Sequence, residues 1–351
     1  MYSKEVPIPV VMVLPWAGNP GSLMTEKLSS EKKDKNMALQ SSHHAIPADI
    51  LALSHERDTL RKRGHYARAD ELKQQIEEAG YGIKDNPRGA HLVILPSVEV
   101  DGEVYRAARQ VPSLLQIPDR CLFSVNILAR NNFEQARCCI ESVVRFAGNN
   151  TFEIMLVDNA SQDEIYTWAR ELQRDVPELH VLRTSRPTGE AEARNIGLKQ
   201  STGKYILLLD VGVELTGDVF TPLDRSLAVS NVGITGLRGL LTDDLRHFEE
   251  SSASEVEAID ASCMAFPRTL LKMTGLFDER YRFPYYMDID FNFAVRGTGA
   301  RAIVTPDLPL LCHPMQQDAE LPDAERTRLI KRNYYRFLEK WGNREDLLLE
   351  S

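Results

Sequence analysis

Between residues 123 and 210 the chain alternates short apolar runs with helix-patterned segments, and this alternation limits the fold more than any other feature. Residues 123–128, 152–157, 179–182 and 205–209 read as strands, and 133–146, 162–174 and 190–199 read as helices. Strands alternating with helices predict a parallel sheet with helices on both faces. Strands in such sheets are buried on both sides and read as unbroken apolar runs. Residues 205–209 (YILLL) are the clearest case, and the run stops at Asp210. The run at 152–157 stops in the same way at Asp158. Both carboxylates therefore fall at the carboxyl ends of strands, where open α/β sheets place their ligands. The expected fold is α/β with a mostly parallel sheet, plus a small helical hairpin near the N-terminus.

A net charge of −9 over 351 residues excludes a chain built mainly to coat nucleic acid. Cys121, Cys138, Cys139, Cys263 and Cys312 form no C-x-x-C pair, so a zinc knuckle or disulfide framework is not expected and a reducing cytoplasm suits them. No apolar stretch is long enough to span a bilayer. Residues 6–14 are apolar but broken by Pro7 and Pro9, which favours a loose tail or edge strand over a secretion signal.

Residues 1–45 read as a flexible tail with a polar run at 29–35 (SSEKKDK) and a solvated His43–His44 pair. Residues 46–90 read as two helices. Ile50, Leu53 and Leu60 lie on one face of the first, and Ala69, Leu72, Ile76 and Ala79 on one face of the second, which Gly80 and Gly82 end. So small a hairpin must dock on something or pair with a copy of itself. Arg57, Arg61, the YARAD run at 66–70, Leu72, the GIKD run at 82–85 and Gly89 resemble the C-terminal helical segment of cysteinyl-tRNA synthetases. That resemblance implies Arg57, Arg61, Lys62, Arg63 and Arg68 as residues that could meet RNA phosphates. The reading preferred here is the solvated face of a packing module. Residues 91–118 read as a connector with a strand at 91–95 and a hairpin about Asp101-Gly102, a type I′ turn signal.

The large domain, 119–345, carries the motifs with chemistry. In order they are SVNILARNN (124–132), VDNASQD (157–163), GEAEARNIG (189–197), GKYILLLDVGVEL (203–215), IDASCMAF (259–266), GLFDE (275–279), MDID (287–290) and His313. Together they resemble family 2 inverting glycosyltransferases of the GT-A fold over residues 122–341. The resemblance implies a nucleotide diphosphate sugar as donor, bound by Ala129, Arg130, Asn131, Asp158, Arg194 and Asp210. Asp158 would accept a base N–H, and Arg194 would face the pyrophosphate. It implies Mg²⁺ or Mn²⁺ at Asp210 and His313, neutralising the leaving diphosphate. It makes Asp288 the base for a hydroxyl acceptor, lipid-linked or polysaccharide in many relatives, with inversion at the anomeric carbon.

Two departures stand against that pattern. Gly212 occupies the place of the family's second metal-segment Asp, and Met287 stands where a Glu often precedes the base. Glu214 reaches the side of Asp210 only if the strand continues. The sequence leaves open a weak metal site, a metal-free site, or a degenerate module that binds a nucleotide sugar or recruits a partner. Residues 323–341 read as a basic amphipathic helix, a core element that could also touch an anionic inner membrane face. Homo-oligomerisation is left open.

Overall fold

The computed structural model describes residues 46–86, 89–314 and 322–349. The tail at 1–45, with its polar run and His43–His44, lies outside the described residues. The chain divides into two compact units that part between Ile94 and Leu95.

The smaller unit contains α1 (Ala48–Lys62), α2 (Tyr66–Glu78), β1 (Tyr81–Asn86) and β2 (Gly89–Ile94), the two strands pairing antiparallel. Ala69, Leu72 and Ile76 are buried as their spacing predicts, and Ile50 and Leu92 join Ile76 in the core. The apolar face that the sequence leaves without cover is therefore closed by the unit's own hairpin. Gly80, at φ 89°, ends α2 and turns the chain directly into β1, a strand absent from the sequence reading. Arg57 is 2% exposed. It forms a two-pronged ion pair with Asp85, at 2.7 and 2.8 Å, and bonds Asp58 at 2.9 Å. It thus ties α1 to β1 and is withdrawn from the five basic residues that could meet phosphates.

The larger unit opens with β3 (Val98–Val100) and β4 (Glu103–Tyr105), joined through Asp101 (φ 48°) and Gly102 (φ 97°). Two consecutive positive φ values are those of the type I′ turn that Asp-Gly predicts. Next come β5 (Cys121–Ala129), α3 (Phe133–Phe146), β6 (Phe152–Asp158), α4 (Ile165–Leu172), β7 (Leu179–Thr184), α5 (Glu190–Gln200) and β8 (Gly203–Asp210). They are followed by β9 (Val213–Leu215), α6 (Phe220–Leu227), β10 (Val232–Gly236), β11 (Gly239–Leu241), β12 (Glu249–Ser251), β13 (Glu255–Val256) and β14 (Ala258–Ile259). The chain ends with β15 (Cys263–Pro267), α7 (Leu271–Thr274), α8 (Met287–Arg296), β16 (Arg301–Val304), β17 (Leu310–Cys312) and α9 (Asp323–Trp341).

Ten strands form one sheet in the order β13-β16-β10-β15-β8-β5-β6-β7-β3-β4. The parallel pairing expected for most of the sheet is found at its centre, β7-β6-β5-β8, and for β10 beside β16. Elsewhere neighbours run antiparallel, because β15 enters between β8 and β10 and the connector hairpin adds β3 to the far side of β7. Along β8, Tyr205, Leu207 and Leu209 belong to the core cluster that takes in α3 and α6 side chains, while Ile206 and Leu208 belong to the one that takes in α8 and α9 side chains. Helices on both faces account for the unbroken apolar run. Each fully buried Leu or Ile side chain contributes about 1.5–3 kcal/mol.

α5 lies tight against the sheet. A Cβ on Gly197 would stand 2.5 Å from Asn126 Oδ1, so only glycine permits this approach. α3 and α5 cover opposite faces, so the chain changes sides between β5 and β8, and the ligand crevice of an open α/β sheet lies at such a switch. No helix among the described residues is long and apolar enough to cross a membrane.

Candidate active site

The sheet register sets the first row of site residues. Ala129 pairs with Asp158, Asp158 with Arg183, and Leu128 with Asp210, all at the carboxyl edge. Beyond β5 the chain turns through Asn131 and Asn132, both left-handed (φ 60° and 62°), a conformation Asn tolerates. The Asn131 N–H donates to Ser161 Oγ (2.9 Å), and its Oδ1 accepts from the Gln162 N–H (2.9 Å). Those two bonds hold the loop of Arg130 and Asn131 against the loop after β6. Asp158 is fully buried. Its Oδ1 accepts the Ser161 N–H at 2.7 Å, whereas its Oδ2 has no hydrogen-bond partner and lies 3.4 Å from Arg183 Nε. Burial raises the Asp158 pKa against the opposing Ser161 hydrogen bonds and Arg183 charge. Arg183 stacks on Tyr166 at 4.3 Å.

One turn into α5, Arg194 bridges two carboxylates. Its Nε donates to Glu190 Oε1 (3.2 Å) and its second terminal nitrogen to Asp210 Oδ1 (2.7 Å). Burial works against the guanidinium charge, but Asp210 and Glu190 outweigh it and hold the pKa above its ordinary value. Both acids are nevertheless raised, first by burial and then, against the pull of Arg194, by a neighbouring carboxylate, Asp210 for Glu190 and Asp260 for Asp210. Arg194 Nη1 is buried without a partner.

The turn at Asp260–Ser262 joins this cluster to α8. The Asp210 N–H donates to the Ser262 carbonyl (3.0 Å), and the Ala261 N–H donates to Asp288 Oδ2 (3.2 Å). Asp288 sits in the first turn of α8. Its pKa is pushed up to about 7, first by burial and then by the Asp260 charge, with the Ile289 and Ala261 N–H groups pulling the other way. Met287 is buried in the core, whereas Asp290 turns into the α8–α9 contact, where its carboxylate accepts Trp341 Nε1 (2.8 Å) and pairs with Lys340 (2.8 Å).

Glu190, Asp260 and Arg183 belong to the site and were not found from the sequence. The Glu190–Arg194 spacing of four on a helix is a pairing signal that could have flagged the first. The Arg183 position one strand across from Asp158 follows only from register, and no spacing links Asp260 to Asp288.

The candidate metal residues are not brought together as a cage. β8 stops at Asp210, the chain turns through Val211 and Gly212, and β9 leaves the sheet to pair with β17. The His313 N–H donates to the Gly212 carbonyl (2.7 Å), and its Nε2 lies 2.8 Å from Glu214 Oε2. Asp210 Oδ1 is engaged by Arg194 and Gly212 offers no donor, so these residues do not fit a cation held by protein alone. Among the described residues no group of three or more His, Cys, Asp or Glu side chains is poised to hold one.

Buried polar atoms without partners mark what the site lacks. Seven such side-chain atoms occur among the described residues, and Asp158 Oδ2, Arg194 Nη1 and Ser262 Oγ all lie at this edge. At the opposite edge, Glu153 accepts Ser124 Oγ–H (2.5 Å), Thr202 N–H (2.5 Å) and Thr202 Oγ1–H (2.9 Å), and its carboxylate is satisfied. A buried polar group without a hydrogen bond costs about 1–3 kcal/mol, and these three atoms, Asp158 Oδ2 keeping only its ion pair with Arg183, are the groups a polar ligand at this edge would satisfy.

Residues 124–250 match the family model described as Glycosyl transferase family 2. The crystal structure of GalNAc-T7 with UDP, GalNAc and Mn²⁺ superposes with a TM-score of 0.55 at 15% identity, covering 64% of this chain and 49% of that one. The fold is GT-A. An uncharacterised protein of Sinorhizobium fredii, y4gI, is 21% identical over 249 residues, 63% of this chain and 27% of that protein. Glycosyltransferase AglE of Haloferax volcanii is 32% identical over 88 residues, 25% of this chain and 29% of its own length. The chain thus spans under a third of the length of these curated relatives. The matched segment contains Asp158, Glu190, Arg194 and Asp210, and Asp260 and Asp288 lie beyond it.

Proposed function

We propose that the 95–349 unit transfers a sugar from a nucleotide diphosphate sugar to a hydroxyl acceptor with inversion. The observation that carries this reading is the set of three buried polar atoms without hydrogen-bond partners at the switch-point edge, Asp158 Oδ2, Arg194 Nη1 and Ser262 Oγ. Asp158 Oδ2 accepts an N–H of the donor base, held in line by Arg183. Arg194 Nη1 donates to a diphosphate oxygen. The loop of Ala129, Arg130 and Asn131 lies beside the nucleoside. Asp288, whose pKa burial and the Asp260 charge push up to about 7, accepts the acceptor proton. The acceptor oxygen then bonds to the anomeric carbon, and the bond to the diphosphate oxygen breaks with its electron pair. Attack opposite the leaving group inverts that carbon.

No step here runs through a cation. With Gly212 in place of a ligand, Mn²⁺ binds weakly to the free protein and more tightly when a nucleoside diphosphate supplies oxygens. Gly212→Asp restores a carboxylate at that position and tightens Mn²⁺ binding. Calorimetry checks this, and tight Mn²⁺ binding by the unliganded wild type contradicts it.

The test of the donor reading is a panel of nucleotide diphosphate sugars titrated into wild type and Asp158→Ala. One nucleoside binds selectively, and the substitution weakens it by about 1–3 kcal/mol. Equal affinity in both proteins removes Asp158 from the site. Gly212 and Met287 favour a second reading, a degenerate module that binds the nucleotide sugar without turning it over. A cytoplasmic setting at the inner face of a membrane, with a lipid-linked or polysaccharide acceptor, fits the transfer reading. For the 46–94 unit a packing role is proposed over RNA contact, since Arg57 is withdrawn into its core.

A further inference from the structure

A cleft of about 480 Å³ opens between the turn at 278–282 and α9, lined by Asp278, Glu279, Arg280, Arg282, Arg332 and Arg336. Four guanidiniums face two carboxylates, and the carboxylates are already engaged. Asp278 takes a two-pronged pair with Arg280, Nε to Oδ1 at 2.9 Å and the terminal nitrogen to Oδ2 at 2.6 Å. Glu279 Oε1 accepts Asn195 Nδ2 at 3.2 Å. Arg336 is fixed by donating to the Arg280 carbonyl (2.6 Å) and lying 5.6 Å over the Tyr281 ring. That leaves Arg282 and Arg332, both exposed. Arg332 has no hydrogen bond or ion pair among the described residues. Its pKa is lowered by burial first and then by the charges of Arg336, Arg282 and Arg328. Arg282 is answered only at a distance, by Glu192 on α5.

One wall of the cleft, the turn at 278–282, is hydrogen-bonded to the first residues of α5. The Glu190 N–H donates to the Arg282 carbonyl (3.3 Å), and the Ala191 N–H to the Tyr281 carbonyl (3.4 Å). A Cβ on Gly189 would stand 2.9 Å from Arg282 Cα, so the turn lies flat on the first residues of α5. Glu190 is the next residue, and its carboxylate belongs to the cluster around Arg194.

We propose that this cleft binds a phosphate-bearing part of the acceptor, gripped by Arg282 and Arg332. Like charges held close repel unless an anion lies between them, and a planar guanidinium pair suits the oxygens of a phosphate or diphosphate. The word acceptor rests on the transfer reading above; the anion site does not.

The test reads these two residues directly. The whole protein is treated with the arginine reagent phenylglyoxal, and adducts at Arg282 and Arg332 are counted by mass spectrometry with and without inorganic pyrophosphate. Arg328, which pairs with Glu325 outside the cleft lining, is the internal control. At ten times its dissociation constant, pyrophosphate slows modification of Arg282 and Arg332 by about tenfold and leaves Arg328 unchanged. Equal rates at Arg282 and Arg332 with and without pyrophosphate overturn the proposal. Vesicles of phosphatidylglycerol and phosphatidylcholine, against phosphatidylcholine alone, give the source. Protection by the anionic vesicles places the phosphate on a lipid, and protection by pyrophosphate alone places it on a soluble molecule. Donor hydrolysis without protection defeats this site and spares the transfer reading. Protection without donor binding spares the site and removes only the word acceptor.

Discussion

Asp288→Asn lowers turnover by about 10²–10⁴-fold while donor affinity stays near wild type. The substitution keeps the shape of the side chain and removes the proton acceptor. Donor hydrolysis, with water replacing the acceptor, is the practical rate to follow. Wild-type activity rises with pH through about 7, where Asp288 ionises, and the residual activity of Asp288→Asn lacks that rise. Stability moves in the opposite sense. The folded-state pKa lies above the unfolded value, so the Asp288 contribution is fully present below about pH 4 and is lost as pH rises through about 7. In Asp288→Asn the melting temperature therefore falls less between pH 6 and 8 than in wild type. Asp290→Asn is the contrasting variant. Its carboxylate faces Trp341 and Lys340, so it changes stability and leaves donor hydrolysis per folded molecule near wild type. Equal hydrolysis by wild type and Asp288→Asn removes Asp288 as the base.

Arg194→Met destabilises the fold by about 3–5 kcal/mol at pH 7. The guanidinium is 4% exposed, and its loss leaves Glu190 and Asp210, at 18% and 25%, facing each other uncompensated. Both carboxylates are raised even with Arg194 present, and without it they rise further. The loss is therefore largest above pH 7 and shrinks as pH falls and the acids take up protons. Urea unfolding at pH 7 and pH 5 measures the difference, and Glu190→Gln in the Arg194→Met background recovers part of it. An identical loss at both pH values would show that the side chain acts through packing alone.

The parts of the fold that were legible are those where burial is continuous. β5, β6 and β8 are apolar runs because helices cover both faces, and the carboxylates that end β6 and β8 stand out against them. α3 and α9 begin and end where the sequence reading puts them. The strands from β10 to β16 were not legible, because they are two to five residues long and β10 and β11 carry glycines that close packing demands. A Cβ on Gly236 would stand 2.1 Å from the Cys263 carbonyl oxygen. β1 was hidden behind Gly80 and Gly82, two residues that read as a helix stop and are also the entry to a strand. In the site, Asp158 and Asp210 could be placed from the strand pattern, whereas Asp288 and Arg194 came from resemblance. Asp260 had no local signal, because its effect is exerted across 28 residues through a turn. His313 was placed beside the right segment, but Glu214, not Asp210, is its partner. β8 ends at Asp210, so the continued strand that would bring Glu214 to the Asp210 side does not form.

The most direct measurement of the account is proton NMR of donor hydrolysis in real time, using the nucleotide sugar selected by the binding panel. The account predicts that wild type releases the sugar first as the anomer opposite to that of the donor, and that Asp288→Asn releases it far more slowly. Release of the retained anomer contradicts inversion. No release above buffer from any donor, while nucleotide binds and acceptor-bearing extracts restore nothing, contradicts transfer and leaves a binding module.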